Sequence, residues 1–277
     1  MTAPTPADHT FAGPIPVIYD TYLVPLLFDA YATDLARRLA GRRVTRVLEI
    51  AAGTGVVTRA LVAALPPDVS IVATDLNQAM LDRAAAVGTS RPVEWRQADA
   101  GQLPFGDRTF DAVVCQFGVM FFPDKTKAFS EVRRILSPGG VFAFNTWDRL
   151  SENELADTVT TALASVFPAD PPRFMARTPH GYHDTAVIAR DLADAGFRDA
   201  PGIVTVEARS RAATARIPAI AYCQGTPVRN EIEARDASRL AEATETAEAA
   251  IGRRFGPGPI DAKIQAHVVV VAAPTGA

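Results

Sequence analysis

The segment that most constrains this chain is Val47–Thr58, with the sequence VLEIAAGTGVVT. Its first four residues predict a buried strand, its glycines Gly53 and Gly55 a tight turn, and the following residues a helix over Val56–Leu65. Ligands of parallel α/β sheets bind where strands end and helices begin, and glycine lets the backbone approach them closely. The acid in the strand, Glu49, would repel a pyrophosphate but attract a ligand with an ammonium or sulfonium group.

A second acid follows the next predicted strand. Ser70–Thr74 predicts that strand, and Asp75 comes directly after it. An acid at this position accepts hydrogen bonds from both hydroxyls of a ribose, and this feature alone suits NAD equally well. The dinucleotide fingerprint G-x-G-x-x-G, however, would place its third glycine at Thr58. The match to an NAD site is therefore incomplete, and a strand, turn and helix without any ligand stays open at this point.

Three more strands are predicted before residue 148. Val93–Gln97 leads into the tripeptide Ala98-Asp99-Ala100, and Phe110–Gln116 forms a fourth strand. A helix then ends at Ser137–Gly140, because proline cannot continue a helix and glycine tolerates the turn. A fifth strand reaches Trp147. The alternation of strands and helices predicts an α/β sheet.

These motifs resemble class I S-adenosylmethionine-dependent methyltransferases. The first motif of that family is [DE]-x-G-x-G-x-G, which Glu49, Gly53 and Gly55 fit and in which Ala51 replaces the first glycine. Over Arg46–Trp147 the motifs occur in order and are similar to the ubiquinone/menaquinone-biosynthesis-type branch. The resemblance implies a doubly wound, Rossmann-like sheet of seven strands in the order 3-2-1-4-5-7-6, with strand seven antiparallel. It implies S-adenosyl-L-methionine as the cofactor but does not specify the acceptor.

The resemblance also implies which residues bind the cofactor. Asp99 would contact the adenine amino group, and the neighbouring backbone NH would contact a ring nitrogen. Tyr22, on the N-terminal helices, could reach the methionine carboxylate with its hydroxyl. The full set of expected cofactor-binding residues is Tyr22, Glu49, Ala51, Gly53, Thr54, Gly55, Asp75, Leu76, Met80, Asp99, Ala100, Gln116 and Phe117.

Composition and charge exclude several other classes of protein. The chain has 277 residues and a net charge of −3, so it lacks the overall basic field of a nucleic-acid-binding protein. No apolar run approaches the roughly 18 residues that a membrane span needs. The N-terminus does not read as a secretory signal, and we expect a cytoplasmic protein. The two cysteines, Cys115 and Cys223, give neither a disulfide framework nor a metal-ligand spacing.

The segments on either side of the cofactor-binding motifs concern recognition of the methyl acceptor. Residues 15–40 predict two N-terminal helices that join near Pro25, and residues 44–148 the cofactor-binding half of a single domain covering 1–277. Residues 149–277 predict a substrate-side half. Within it, residues 208–265 separate the sixth strand, Ile203–Glu207, from the seventh, Ala266–Ala272. A hairpin needs only about 2–5 residues. This insertion predicts a helical lid or cap, with a subunit contact in a homodimer or a purely structural element as the alternatives.

No catalytic group is fixed by the sequence. His180 and His183 are weak candidates for a general base, since histidine titrates near neutral pH. No cluster of cysteines or carboxylates accompanies them, so no metal site is predicted. The sequence predicts methyl transfer to oxygen, carbon or nitrogen of a small molecule. The alternatives are an NAD-dependent oxidoreductase and a cofactor-binding module without catalysis.

Overall fold

A seven-stranded sheet organises the computed structural model, which describes residues 5–275. The strand order is β3-β2-β1-β4-β5-β7-β6, as predicted, with β7 antiparallel. Strands β1 to β5 pair in parallel. The strands are β1 Arg46–Ile50, β2 Ser70–Asp75, β3 Glu94–Gln97, β4 Phe110–Gln116, β5 Leu136–Trp147, β6 Gly202–Ala212 and β7 Ile260–Ala272.

The central strands form because their side chains are apolar on both faces. Val47, Leu48 and Ile50 of β1 are each at most 1% exposed, and Ala112 to Cys115 of β4 are fully buried. A parallel strand covered on both faces has this composition, because helices pack on either side of it. The carboxyl ends of β1, β2, β3 and β4 therefore meet at one edge of the sheet.

Helices connect the strands and form most of the chain outside the sheet. The α-helices are α1 Ile15–Ile18, α2 Asp29–Ala40, α3 Val56–Ala64, α4 Gln78–Val87, α5 Lys125–Ile135, α6 Glu154–Val166, α7 Phe174–Arg177, α8 Thr185–Asp194, α9 Arg216–Gln224, α10 Val228–Asp236 and α11 Leu240–Phe255. Asp184 caps α8 through bonds from the amides of Ala186 and Val187. Within residues 5–275, no helix is both long and apolar enough to cross a membrane.

The predicted break at Pro25 is wrong. A π-helix, Tyr19–Phe28, contains Pro25 and joins α1 to α2 without interruption. Proline lacks an amide hydrogen and its ring crowds the carbonyl of the preceding turn. The wider turn of a π-helix changes the bonding pattern at that position, so the helix continues where an α-helix would kink or stop.

The chain divides into two compact units, each assembled from three segments. Of the described residues, the first unit contains 5–29, 147–182 and 206–266, and the second contains 30–146, 183–205 and 267–275. All cofactor-site residues predicted between Glu49 and Phe117 belong to the second unit. Tyr22 belongs to the first.

In the first unit the predicted insertion is part of a packed core. The helix α11 packs along α6 and α9, and α9 packs on the π-helix. Strands β6 and β7 extend further than predicted, so the helical part runs from Arg216 to Phe255. The insertion thus shares its core with the N-terminal segment and with α6.

A buried ion cluster joins three segments of the first unit. Arg177 donates to both carboxylate oxygens of Asp8 and, at 2.8 Å, to Glu231 Oε1. Thr178 also donates to Asp8, which is fully buried. These bonds hold the pKa of Asp8 below its ordinary value, although burial alone would raise it.

Candidate functional site

The turn after β1 has the backbone conformation that a close ligand requires. Gly53 and Gly55 have φ angles of +56° and +82°, a region that glycine enters without cost. Ala51 has a φ of +54°, which is unusual for a residue with a side chain. Such conformations cost roughly 1–3 kcal/mol and cluster at functional sites, because surrounding structure must hold them in place.

The loop after β4 touches this turn. A Cβ atom on Gly118 would lie 2.4 Å from Ala51 Cβ and 2.7 Å from Cys115 Sγ, so only glycine fits there. The preceding residue, Phe117, also has a left-handed backbone, with a φ of +51°. The strained Ala51 therefore lies against Gly118, which directly follows the strained Phe117.

Asp75 connects the turn to the end of β2. Its Oδ2 accepts the amide of Gly53 at 2.8 Å, and its Oδ1 accepts the amide of Asn77 at 2.8 Å. The side chain is only 8% exposed, and burial raises the pKa of Asp75 although the backbone amides oppose this. Oδ1 also accepts Asn77 Nδ2 at 3.5 Å, and because a carboxylate has about four acceptor positions, Asp75 can still accept from a ligand.

Glu49 lies beneath the turn rather than at its surface. It is 1% exposed, and its Oε2 accepts a 2.5 Å bond from Thr58 Oγ1. Burial raises the pKa of Glu49 to about 8, against the hydrogen bond from Thr58 and the charge of Arg59, which lower it. The carboxyl group therefore holds its proton at neutral pH in the free protein, even with Arg59 nearby. Thr58 occupies the position of the missing third glycine, and its hydroxyl donates a hydrogen bond to Glu49 that a glycine could not make.

The end of β3 lies beside Asp75. The amide of Ala98 donates to the Asp75 carbonyl at 3.0 Å, which joins the two strand ends. Asp99 is exposed and accepts the amide of Gly101 at 2.8 Å. Leu76 leaves 51% of its surface exposed, whereas Met80 on α4 is 4% exposed. An exposed apolar side chain beside two carboxylates suits a ligand with both a planar apolar part and hydroxyl groups.

Two buried groups fix the loop after β4. Asn145 Oδ1 on β5 accepts the amide of Phe117 at 2.9 Å. The ring of Phe117 packs edge-on against Tyr31, with 5.3 Å between the centroids. Gln116 directly precedes Phe117 in the chain, and its Oε1 accepts a hydrogen bond from Asn145 Nδ2 at 3.5 Å. Asn145 and Tyr31 orient the expected contact residues from neighbouring elements.

The histidine candidates belong to different units. His180 is in the first unit, is 4% exposed, and bonds through Nδ1 to the Asp148 carbonyl at 2.8 Å. His183 is half-buried and belongs to the second unit. In the part of the chain that the structure describes, no group of three His, Cys, Asp or Glu side chains is placed to hold a metal ion.

Sequence comparison shows the family. Residues 48–144 match the methyltransferase domain family. A ubiquinone/menaquinone biosynthesis C-methyltransferase, UbiE, of Pseudomonas aeruginosa is 31% identical over 184 residues, covering 62% of this chain and 71% of that protein. The chain belongs to the class I S-adenosylmethionine-dependent methyltransferases. Within them it falls in the UbiE-like branch, as predicted.

Other relatives of this methyltransferase match smaller parts of their own length. The UbiE of Ectopseudomonas mendocina is 33% identical over 165 residues, 55% of this chain and 64% of that protein, so the chain spans less than two thirds of it. A phosphoethanolamine N-methyltransferase of Haemonchus contortus, solved with S-adenosyl-L-methionine, has a TM-score of 0.58 at 17% identity and covers 94% of this chain and 56% of that one. At this identity the similarity shows the fold.

Sequence reasoning missed the residues that support the methyltransferase site from outside its motifs. Gly118, Asn145 and Tyr31 lie far from the glycine turn in the chain, and only the sheet brings them to it. A further case is Arg134, which donates to the carbonyls of Leu103 and Phe105 and so holds the loop after Asp99. The buried position of Asn145 in an apolar strand, FAFNTW, was the one available signal.

The raised pKa of Glu49 predicts the pH dependence of stability. Because its folded-state pKa of about 8 exceeds the ordinary 4.5, its contribution to stability is fully present below 4.5 and is lost as pH rises through 8. The slope approaches about 1.4 kcal/mol per pH unit. Glu49→Gln keeps an acceptor for Thr58 and removes the titration. We expect it to unfold at higher urea concentration than the wild type at pH 8, with little difference at pH 4.5.

Glu131→Gln is the matched control for this measurement. Bonds from Arg134 lower the pKa of Glu131, so its contribution is present above the ordinary pKa and is lost as pH falls. The Glu131→Gln variant should therefore be less stable than the wild type at neutral pH, so its change in stability is opposite in sign to that of Glu49→Gln. Parallel stability curves for the wild type and Glu49→Gln would show that Glu49 does not titrate in this range.

Proposed function

We propose that this chain transfers a methyl group from S-adenosyl-L-methionine to oxygen, carbon or nitrogen of a small molecule. The observation that carries the proposal is the Asp75 carboxylate, which is buried and already bonded to the amide of Gly53 in the glycine turn. Membership of the methyltransferase family supports the same cofactor, and the first relatives are C-methyltransferases of quinone biosynthesis.

The residues at the sheet edge fit this cofactor. Asp75 would accept the ribose hydroxyls, and Asp99 with the Ala100 amide would receive the adenine. Thr54 Oγ1 in the turn is buried without a hydrogen-bond partner among residues 5–275, which is unusual unless a bound molecule completes the site. The other proposed contacts are Tyr22, Glu49, Ala51, Gly53, Gly55, Leu76, Met80, Gln116 and Phe117.

Glu49 would act on the cationic end of the cofactor. Its carboxyl group is protonated at neutral pH in the free protein, because burial raises its pKa to about 8. A positive charge nearby favours the ionised form of a carboxyl group. Binding of a cationic ligand over the turn would therefore release a proton from Glu49, and ligand affinity would rise between pH 6 and 8.

Catalysis would rest on positioning. When bound, the cofactor supplies an already activated methyl group on a sulfonium. The chain must hold an acceptor atom behind that methyl group and keep water away. Such alignment lowers a barrier by at most roughly 7–11 kcal/mol. A general base is needed only for an acceptor that is poorly ionised.

His180 is the preferred general base, with His183 as the alternative. The Asp148 carbonyl can only accept, so the bond to Nδ1 places the proton of neutral His180 on that nitrogen. Nε2 is then the basic nitrogen. A fall in turnover at unchanged cofactor affinity in His180→Gln, but not in His183→Gln, would assign this role.

Ligand binding and turnover test the proposed function. We expect S-adenosylhomocysteine to bind in calorimetry and to raise the melting temperature, because a ligand of the native state stabilises it. NAD should do neither. Radiolabelled S-adenosyl-L-methionine, offered with phenols, quinol precursors and amines, should yield a methylated product. Binding of NAD alone would overturn the cofactor, and binding of S-adenosylhomocysteine without any turnover would support a module that lacks catalysis.

Acceptor recognition is assigned in this proposal to the first unit, including the helical insertion Arg216–Phe255. The insertion exceeds what a hairpin between β6 and β7 requires, which supports a functional role. Deletion would be uninformative, because α9 and α11 form the core of that unit with α6. Hydrogen exchange is the better measurement. The acceptor found in the turnover panel should protect α9 to α11, and S-adenosylhomocysteine alone should not.

A homodimer is the competing role for the same insertion. In that case its amides would exchange faster on dilution, whether or not acceptor is present. Sedimentation velocity across the same concentrations would show the dissociation directly. Protection by acceptor that is confined to the second unit would contradict the acceptor role.

A further inference from the structure

A basic cleft lies at the opposite edge of the sheet from the cofactor site. It has a volume of about 820 Å³ and is built entirely from residues of the second unit. It is bounded by the starts of β4 and β5, whereas the cofactor residues follow the ends of β1 to β4. Its lining is Asp107, Arg108, Arg133, Arg134, Leu136, Pro138, Ala193, Gly196, Phe197, Arg198, Ala273, Pro274 and Thr275.

The cleft concentrates positive charge in a protein that is negative overall. Four arginines and one aspartate line it, while the whole chain carries −3. Arg134 is already engaged, with bonds of 2.8 Å to Asp107 and to Glu131. The other three guanidinium groups have no carboxylate partner among residues 5–275. Three uncompensated guanidinium groups in one concave site attract an anion of more than one charge.

One of these arginines is held in place by a backbone carbonyl, and a second has an unusual backbone conformation. Arg133 donates a hydrogen bond from its Nε to the Ala195 carbonyl at 2.9 Å. This bond does not use the two terminal nitrogens of the guanidinium group. A Cβ on Gly196 would lie 2.9 Å from that Nε, so a side chain there would displace the guanidinium group. Arg108 has a left-handed backbone with a φ of +54°, which strains a residue with a side chain.

The remaining walls of the cleft are apolar. Pro138 and Ala193 are exposed and give apolar surface to it, whereas Leu136 and Phe197 are 2% and 3% exposed and form its buried base. A volume between roughly 300 and 1,000 Å³ is typical of sites for small organic ligands. An inorganic ion would leave most of this cleft unfilled and its apolar walls in contact with water.

We propose that the cleft binds a soluble organic phosphomonoester, with the phosphate on the guanidinium groups and an apolar body against Pro138 and Ala193. Guanidinium groups match phosphate because they donate two parallel bonds to its oxygens. A phosphomonoester carries about −1.5 to −2 at pH 7, which fits three arginines better than a single carboxylate does. The proposal is independent of methyl transfer at the other edge of the sheet.

Calorimetry with 1-naphthyl phosphate tests the proposal on the full chain. The probe should bind at one site. Both 1-naphthol and inorganic phosphate should bind at least tenfold more weakly, because the first lacks the phosphate and the second lacks the apolar body. The double variant Arg133→Ala with Arg198→Ala should weaken 1-naphthyl phosphate at least tenfold. Ala193→Glu, which adds a carboxylate to the lining, should do the same by repulsion.

Arg253→Ala is the matched control, because Arg253 is an exposed arginine on α11. It should leave the binding of 1-naphthyl phosphate unchanged. All variants should stay folded, with a cooperative melting transition, and should keep the wild-type affinity for S-adenosylhomocysteine. Equal binding by the wild type and both cleft variants would overturn the site. Equal binding of inorganic phosphate, or binding only to phosphatidate vesicles, would overturn the soluble organic phosphomonoester.

Discussion

Replacing Asp75 with alanine is expected to weaken binding of S-adenosylhomocysteine by about 100-fold. Hydrogen bonds to a charged group contribute roughly 1.5–3 kcal/mol each, and about 2.7 kcal/mol corresponds to this factor. The same change leaves the amides of Gly53 and Asn77 without their acceptor. The glycine turn should therefore also lose stability. Calorimetry gives the affinity, and a urea titration gives the free energy of unfolding.

Two further variants separate these effects. Asp75→Asn keeps one acceptor oxygen and the shape of the side chain, so it should retain more stability than affinity. Asp82→Ala removes an exposed acid from α4 that bonds only to Gln78 among the described contacts. It should change neither measurement. If Asp75→Ala stays folded and binds with the wild-type dissociation constant, the ribose does not lie on Asp75.

Replacing Gly118 with alanine should damage both stability and cofactor affinity. The new methyl group would lie 2.4 Å from Ala51 Cβ and 2.7 Å from Cys115 Sγ, and both neighbours are fixed by buried structure. Overpacking of this kind costs typically 1–3 kcal/mol. The two strand ends would have to separate, so the turn around Gly53 would shift. We expect a lower melting temperature and at least tenfold weaker binding of S-adenosylhomocysteine.

Gly252→Ala is the matched control for this change. A Cβ on Gly252 would meet nothing within 4 Å, and the residue lies within α11. Alanine favours a helix over glycine by up to about 1 kcal/mol, so this variant should equal or exceed the wild type in stability. A Gly118→Ala protein with unchanged melting temperature and affinity would show that the contact with Ala51 relaxes freely.

The cofactor half could be predicted because its signals are local. Buried parallel strands are short apolar runs, and the polar motif residues stand at or close to their carboxyl ends, as Asp75 does at the end of β2. The support given by Gly118 and Asn145 could not be predicted in the same way. Their importance depends on which strands become neighbours, and nothing in the spacing of the sequence encodes the contact of Gly118 with Ala51.

The outer half was less predictable for physical reasons. Strand β6 is largely exposed, so it lacks the apolar alternation that marks a half-buried strand. In β7, Ile260, Ala262 and Ile264 are buried at every second position, a pattern that precedes the predicted start at Ala266. At Pro25, a general rule about proline failed because the π-helix accommodates it. The two histidines remain predictions.

The interleaving of the two units has a consequence for the order of folding. The first unit needs Asp8 from the start of the chain and Glu231 from far along it, because both bond to Arg177. The second unit needs residues 267–272 of β7, which follow the first unit's segment 206–266 in the chain. Contacts between residues this distant in sequence form slowly, because the chain loses the entropy of closing a long loop before the contact stabilises it. During synthesis on the ribosome, neither unit can be completed until β7 has emerged, because each unit contains part of that strand. Until then, the apolar strands β1 and β4 need protection from aggregation.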